Sequence, residues 1–286
     1  MGRTKLSNSS INPLYYANGV AKFRGLTLPH GFSTMAMGNM ASMWATTGEK
    51  REINDGPFYQ TTGLDGKNRV HIVPSKKSGS IMPWESESDI SPIIYLPSGD
   101  PSSVRGFACD AVFTTDRSLT LSVCPADSFP IIVTNINRGD AERERDFVAL
   151  VIAGWRETKR RIVERTITRL LDRIPLIYGV PTKQSQEKFL KSFQVFIGPG
   201  VQYCCYRPRF LARVAGAKSD LLSENIKQIV GCGVSPDNIH TATICTCCVK
   251  DQNGNYRFFS HQRAKNTGER EGRFLAAVGL GLENPR

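Results

Sequence analysis

The pattern of apolar and polar positions divides the chain into many short strands and a few helices. The clearest stretch begins with an apolar run over 147–152, which has the length and β-branched content of a buried strand. After the small residues Ala153 and Gly154, apolar residues recur at helical spacing from Ile162 to Ile174. We therefore predict a strand that turns sharply into one long amphipathic helix, with Trp155 packed at the junction.

The rest of the pattern predicts an α+β protein. Two further helices are expected over 184–193 and 219–230, the second capped by Ser219 and ended by Gly231. Short apolar runs bounded by turn residues predict strands over 26–34, 70–73, 92–96, 110–115, 119–123, 130–134, 196–206, 241–246, 256–260 and 274–280. We predict a flexible tail over 1–20 and a single domain over 21–286, built from mixed β-sheets flanked by helices.

Composition and charge narrow the class of protein. The chain has 286 residues, of which 40% are hydrophobic and 22% charged, as in globular proteins. Its 37 Lys and Arg against 26 Asp and Glu give a net charge of +11, which attracts phosphate-bearing partners. No apolar run has the length of a membrane span, and the first residues lack the apolar core of a secretory signal. We therefore expect a cytoplasmic protein without a membrane partner.

The arginines of the predicted long helix could be taken for a nucleic-acid surface, but their neighbours favour a structural interpretation. The arginines between 161 and 173 are interleaved with Glu164 and Asp172, which indicates a salt-bridged helix face rather than a nucleic-acid surface.

The eight cysteines include the pair Cys204 and Cys205 and the group Cys245, Cys247 and Cys248. In a reducing cytosol we expect no disulfides, and the C-C and C-x-C-C spacings differ from the C-x-x-C of zinc ribbons. We therefore predict small core residues here rather than metal ligands.

Eight short motifs follow one another in an order that resembles a known family. They are His30-Gly-Phe-Ser-Thr34, Asp110-Ala-Val-Phe-Thr-Thr-Asp116, Pro125-Ala-Asp-Ser-Phe-Pro130, Ala153-Gly-Trp-Arg156, Ile197-Gly-Pro199 with Tyr206, Cys245-Thr246, Phe258-Phe-Ser-His-Gln-Arg263 and Gly272-Arg273. Together they resemble the laccase-domain family, also called YfiH-like or polyphenol oxidase, which is associated with purine nucleoside phosphorylase activity. The resemblance implies a mixed α/β fold, phosphorolysis of adenosine, inosine or methylthioadenosine, and a zinc site.

The positions that the resemblance assigns to zinc ligands have changed in this sequence. The family holds its metal with a His, a Cys and a second His, and here Ser128 stands at the Cys position and Ile152 at the second His. The first His aligns with Ser78, and His71 is a second candidate for that role. Because Ser binds zinc poorly at neutral pH and Ile has no donor atom, we predict that the zinc site is lost and that no cofactor is bound.

The retained residues give candidate roles under the same resemblance. The candidates for binding phosphate are Arg156, Arg263 and Arg273. The catalytic candidates are Asp127, Ser128 and His261, with Ser128 either a nucleophile activated by His261 or a small replacement for Cys. Two functions stay open: a divergent purine nucleoside phosphorylase, a transferase that binds a purine nucleoside and phosphate, or a non-catalytic pseudoenzyme that binds a nucleoside or regulates a protein partner.

Overall fold

Two six-stranded β-sheets organise the fold. The computed structural model describes residues 13–40, 55–74, 93–96, 108–136, 146–177, 183–207 and 220–281. The first sheet has the order β1 (Leu14–Ala17), β2 (Val20–Phe23), β3 (His30–Ser33), β12 (Ala276–Gly279), β7 (Thr120–Val123) and β4 (Arg69–Ile72). The second has the order β11 (Ile239–Thr241), β10 (Gln194–Ile197), β8 (Phe129–Thr134), β9 (Val148–Ala153), β6 (Ala111–Thr114) and β5 (Ile93–Leu96).

Both sheets are mixed, which confirms the predicted fold class. In the first sheet β4 runs parallel to β7, whereas β12 is antiparallel to both of its neighbours. In the second sheet β5 with β6 and β10 with β11 are parallel pairs, and the central pairs are antiparallel. The helices are α1 (Gly56–Thr62), α2 (Trp155–Lys159), α3 (Ile162–Ile177), α4 (Lys183–Lys191), α5 (Leu221–Gly231) and α6 (His261–Thr267). Short 3-10 turns lie at Met35–Met37 and Pro236–Asn238.

The hydrophobic core has two main layers that share the second sheet. Alternate residues of β8 and β9, such as Ile132 and Leu150, pack against the first sheet, whereas Ile131 and Val151 pack against α3 and α5. Both faces of these central strands are therefore buried, which explains why their sequences read as continuous apolar runs. A third, smaller cluster packs α1 through Phe58 against the outer face of the first sheet.

The junction after β9 differs from the predicted single helix. The strand ends at Ala153, Gly154 follows in an extended conformation, and α2 begins at Trp155. Helix α2 stops after five residues, and Arg161 adopts a left-handed backbone with φ of 56° before α3 starts. Helix α3 then buries Val163, Ile167 and Leu170 against the second sheet, the face that the spacing predicts. Two helices therefore take the place of one because the chain must change direction before α3 can lie along the sheet.

Other elements differ from the sequence prediction for identifiable local reasons. Asp220, not Ser219, caps α5, since its carboxylate accepts a hydrogen bond from the N–H of Ser223 at 3.0 Å. The aromatic residues 256–260 form no strand, because Ser260 caps α6 instead. Residues 14–17, which the sequence assigns to the tail, pair with β2 as strand β1. Across the described ranges, the helices are all too short or too polar to cross a membrane.

Candidate functional site

The ends of β8 and β9 bring together two of the turns that carry candidate residues. The strands are antiparallel, with Phe129 opposite Ala153, so the residue before β8 lies beside the residue after β9. A Cβ placed on Gly154 would lie 2.6 Å from Ser128 Oγ and 2.6 Å from Glu157 Oε2. Only glycine leaves room at this position for both the hydroxyl and the carboxylate.

Asp127 holds the turn before β8 in place. Its backbone is left-handed, with φ of 78°, a conformation that Asp adopts more readily than most residues. Its Oδ1 accepts a hydrogen bond from Thr246 Oγ1 at 2.7 Å, and its Oδ2 accepts one from the N–H of Gln262 at 2.6 Å. The buried carboxylate therefore connects three segments that are distant in sequence, which gives Asp127 a positioning role.

Glu157 is a residue of this site that the sequence analysis missed. Its Oε2 accepts a hydrogen bond from the N–H of Gly154 at 3.0 Å. Burial raises the pKa of Glu157, and the negative charge of Asp110 adds to the increase. A partly exposed carboxyl group with a raised pKa keeps its proton to a higher pH than an ordinary glutamate does, which is the change that a general acid requires. The sequence did contain a signal, because a Glu three residues after a helix cap is the spacing of a capping box.

The phenol of Tyr206 lies within electrostatic reach of both carboxylates. Burial raises the pKa of Tyr206 to about 12, and the charges of Asp127 and Glu157 contribute in the same direction. The hydroxyl therefore stays protonated at neutral pH and can donate a hydrogen bond.

Arg263, a candidate for binding phosphate, is instead surrounded by acceptors of the protein itself. Its side chain is 3% exposed and forms an ion pair with Glu269, from Nε to Oε1, at 2.6 Å. Its Nη atoms donate to the carbonyls of Thr246, Cys247 and Phe258 at 2.9–3.1 Å. The guanidinium also stacks over the ring of Tyr256, 4.0 Å from the centroid. A phosphate would have to displace these contacts, so binding by Arg263 stays a prediction.

The other predicted site residues lie at different distances from the turn of Asp127. His261 opens α6, but its exposed ring points to Glu271, with Nδ1 2.6 Å from Oε1. Arg156 is two residues from Gly154, and its charge acts on Glu157. Arg273 is exposed and precedes Phe274, whose N–H donates to the Pro125 carbonyl at 3.1 Å. Arg156 therefore adjoins the site, Arg273 has its charge near Cys124, and the ring of His261 contacts Glu271 instead.

Four cysteines from two turns converge beside this site. We call Cys204, Cys205, Cys245 and Cys248 the thiol cluster. Their Sγ atoms all lie within 4.8 Å of one another, and those of Cys204 and Cys248 are 3.8 Å apart. Four thiolates at this spacing could hold a metal ion. The predictions that no cofactor is bound and that these cysteines are only small core residues are therefore wrong. The sequence analysis overlooked that Cys245 and Cys248 have C-x-x-C spacing, because Cys247 is one of the two residues between them.

The cysteines of the thiol cluster have different pKa values because their sulfur atoms lie close together. Burial opposes ionisation of Cys204, but hydrogen bonds from the neighbouring thiols outweigh it and lower its pKa. Burial, together with the charge of Cys245, raises the pKa of Cys248 to about 12. One thiolate therefore makes the next harder to form unless a cation is present.

Comparison with known proteins identifies the family. The family model described as multi-copper polyphenol oxidoreductase laccase matches residues 92–281, which is more than half of the chain. The chain belongs to this family. Among solved structures, YfiH of Bacillus licheniformis has a TM-score of 0.65 at 18% identity and covers 94% of this chain and 100% of its own. YlmD of Geobacillus stearothermophilus has a TM-score of 0.66 at 18% identity and covers 95% and 100%. These likenesses confirm the YfiH-like fold.

Two curated relatives of this laccase-family chain are named purine nucleoside phosphorylases. The protein of Clostridium acetobutylicum is 26% identical over 202 residues, which span 66% of this chain and 72% of the relative. The protein of Staphylococcus aureus is 26% identical over 176 residues, 59% of each chain. The resemblance drawn from the sequence motifs is thereby confirmed at the level of the family.

Among the described residues at the positions that the resemblance assigns to zinc, Ser128 and Ile152 stand where the family has Cys and His. The side chain of Ile152 is part of the apolar core between the sheets and offers no donor. The ring of buried His71 is on the first sheet, with Nδ1 3.0 Å from Ser122 Oγ, and burial lowers its pKa to about 3. Ser78 lies outside the described residues. A metal held by His, Cys and His does not fit these residues, and its loss from these turns stays a prediction.

Proposed function

We propose that this laccase-family chain cleaves purine nucleosides by phosphorolysis, with Glu157 as the proton donor. One observation carries the proposal: a carboxyl group of raised pKa lies against Gly154 and beside Ser128 at the joined ends of β8 and β9. The names of the two curated relatives support the choice of substrate.

In this reaction an oxygen of phosphate forms a bond to the anomeric carbon of the ribose as the bond to the purine nitrogen breaks. The departing purine takes up a proton, which Glu157 supplies and later recovers from solvent. Two of the candidate cations, Arg156 beside Glu157 and the exposed Arg273, would hold the phosphate. Ser128 Oγ lies next to the carboxylate and would orient the sugar by a hydrogen bond.

The test is release of free base from inosine and adenosine, measured by chromatography with and without phosphate. We expect base release that requires phosphate, with a rate that falls as pH rises through the raised pKa of Glu157. Glu157→Gln should abolish this fall in rate with rising pH and lower kcat by about 100-fold, the usual contribution of a positioned acid. Glu164→Gln, which removes a carboxylate of α3 that pairs with Arg161, is the matched control and should leave the rate unchanged. Equal activity of both variants would refute the role of Glu157.

A second function, nucleoside binding without turnover, is favoured by the contacts of Arg263. Its guanidinium contacts Glu269 and backbone carbonyls, so a phosphate could bind there only by displacing these contacts. Titration calorimetry with inosine, alone and with phosphate, separates the two functions. Binding of inosine without base release would establish the second function, and base release excludes it.

A further inference from the structure

Two tight turns supply the thiol cluster in pairs. In the first turn the N–H of Cys205 donates to the Gln202 carbonyl at 3.0 Å. In the second turn the N–H groups of Cys248 and Val249 donate to the Cys245 carbonyl at 3.3 and 3.0 Å. Each turn therefore presents two thiols to one side, and the second has the C-x-x-C spacing that structural zinc sites use.

Backbone hydrogen bonds fasten the two turns to each other. Gly200 and Cys245 form a parallel bridge, and the N–H of Thr246 donates to the Gly200 carbonyl at 3.1 Å. The side-chain amide of Gln202 donates to the Ile244 carbonyl at 3.4 Å. The thiols are thus positioned by contacts that do not involve sulfur, so the site is preorganised for a ligand.

The sulfur spacing fits a tetrahedral metal and not a disulfide. Four sulfurs at about 2.3 Å from a zinc ion are about 3.8 Å from one another in a tetrahedron. The Sγ atoms of Cys204 and Cys248 are 3.8 Å apart, and every pair in the cluster lies within 4.8 Å. A disulfide requires sulfurs at about 2.0 Å.

We propose that the thiol cluster binds one zinc ion in a closed structural site. Binding releases the four thiol protons and leaves one divalent cation with four thiolates, a net charge of minus two. Two contacts already stabilise negative charge there. The N–H of Gln202 donates to Cys245 Sγ at 3.4 Å, and Arg263 donates to the carbonyls of Thr246 and Cys247, between two of the ligands. With four protein ligands the metal keeps no open position, so its contribution is to the fold rather than to a reaction.

The proposed zinc site would affect the candidate functional site through Thr246. Thr246 lies between two cysteines of the second turn, and its hydroxyl donates to Asp127 at 2.7 Å. A metal that rigidifies this turn therefore also fixes the carboxylate that positions the loop before β8. The inference does not rest on the proposed reaction, since a protein without phosphorolysis would still hold the metal.

The test is metal content of the tag-free full chain, purified under reducing conditions without chelator and measured by plasma mass spectrometry. We expect about one zinc per chain in the wild type. Cys205→Ser and Cys248→Ser should each lose zinc on dialysis against a chelator under conditions that leave the wild type loaded. Cys232→Ser, whose thiol lies against the Glu164 carbonyl and is not part of the thiol cluster, is the matched control and should keep it.

A second measurement covers the case in which a variant fails to fold. Cobalt added to the reduced, metal-free wild type should give visible bands of a tetrahedral ion and a near-ultraviolet thiolate band, both displaced by zinc. Three results would overturn the proposal: wild-type protein without zinc or cobalt binding, zinc that the two cluster variants retain, or a Cys204–Cys248 disulfide in peptide mapping of the reduced preparation.

Discussion

Replacing Arg263 by Met tests whether this guanidinium supports the fold or serves a ligand. The substitution keeps most of the apolar stem but removes the ion pair with Glu269 and all the donors to the surrounding carbonyls. Removing one partner of a buried pair costs about 3–5 kcal/mol, because the remaining groups lose their partner while still shielded from water. An unfolding entropy of about 2.1 cal/mol/K per residue over 286 residues gives about 0.6 kcal/mol/K. The expected decrease in Tm is therefore about 5–8 °C.

Differential scanning calorimetry of Arg263→Met and Lys265→Met measures this difference. Lys265 is an exposed cation on the same helix, so its replacement should change the Tm by less than about 1 °C. Arg263→Lys should recover only part of the loss, because an ammonium cannot reach the several carbonyls that the planar guanidinium contacts. A Tm for Arg263→Met equal to that of the control, together with loss of stabilisation by phosphate, would refute the structural role and assign the residue to the ligand.

Three further predictions concern the joined strand ends. Because the pKa of Glu157 is raised in the folded protein, its contribution to stability is full below its unfolded pKa and is lost as pH rises through its folded pKa; in urea melts Glu157→Gln should therefore gain stability relative to the wild type as pH rises above the unfolded pKa. Gly154→Ala should lower the free energy of unfolding by about 1–3 kcal/mol, since its Cβ would contact Ser128 and Glu157; an unchanged urea midpoint contradicts this. Thr246→Val should cost about 1–3 kcal/mol by removing a donor from buried Asp127, and a smaller loss means that water replaces the hydroxyl.

Much of the fold follows from periodicity because the central strands are buried on both faces. The run that ends at Ile152 and the helix of Val163 and Ile167 could be predicted because burial on a sheet leaves a regular apolar pattern. The pattern says less where polar contacts decide the conformation. Helix α6 begins where the carboxylate of Asp127 accepts from Gln262, a contact between residues 135 positions apart that no local signal records.

The candidate site was predicted less completely for the same reason. Sequence motifs gave Asp127, Ser128 and Arg263 as candidates, and their roles stay predictions; the motifs did not indicate that the guanidinium of Arg263 is buried against Glu269. The thiol cluster was discounted because each spacing was considered within its own segment. Its cysteines come from two turns, which the bridge between Gly200 and Cys245 and the hydrogen bonds of Gln202 to the second turn bring together.

The position of β12 has a consequence for how the protein is made. This strand, residues 276–279, lies in the first sheet between β3 and β7, which pair with it and not with each other. On the ribosome, both neighbours are synthesised more than a hundred residues earlier and must wait with unpaired edges until it emerges. The nascent protein therefore completes this sheet only after residues 276–279 have emerged, and until then the edges of β3 and β7 are open to pairing with other chains.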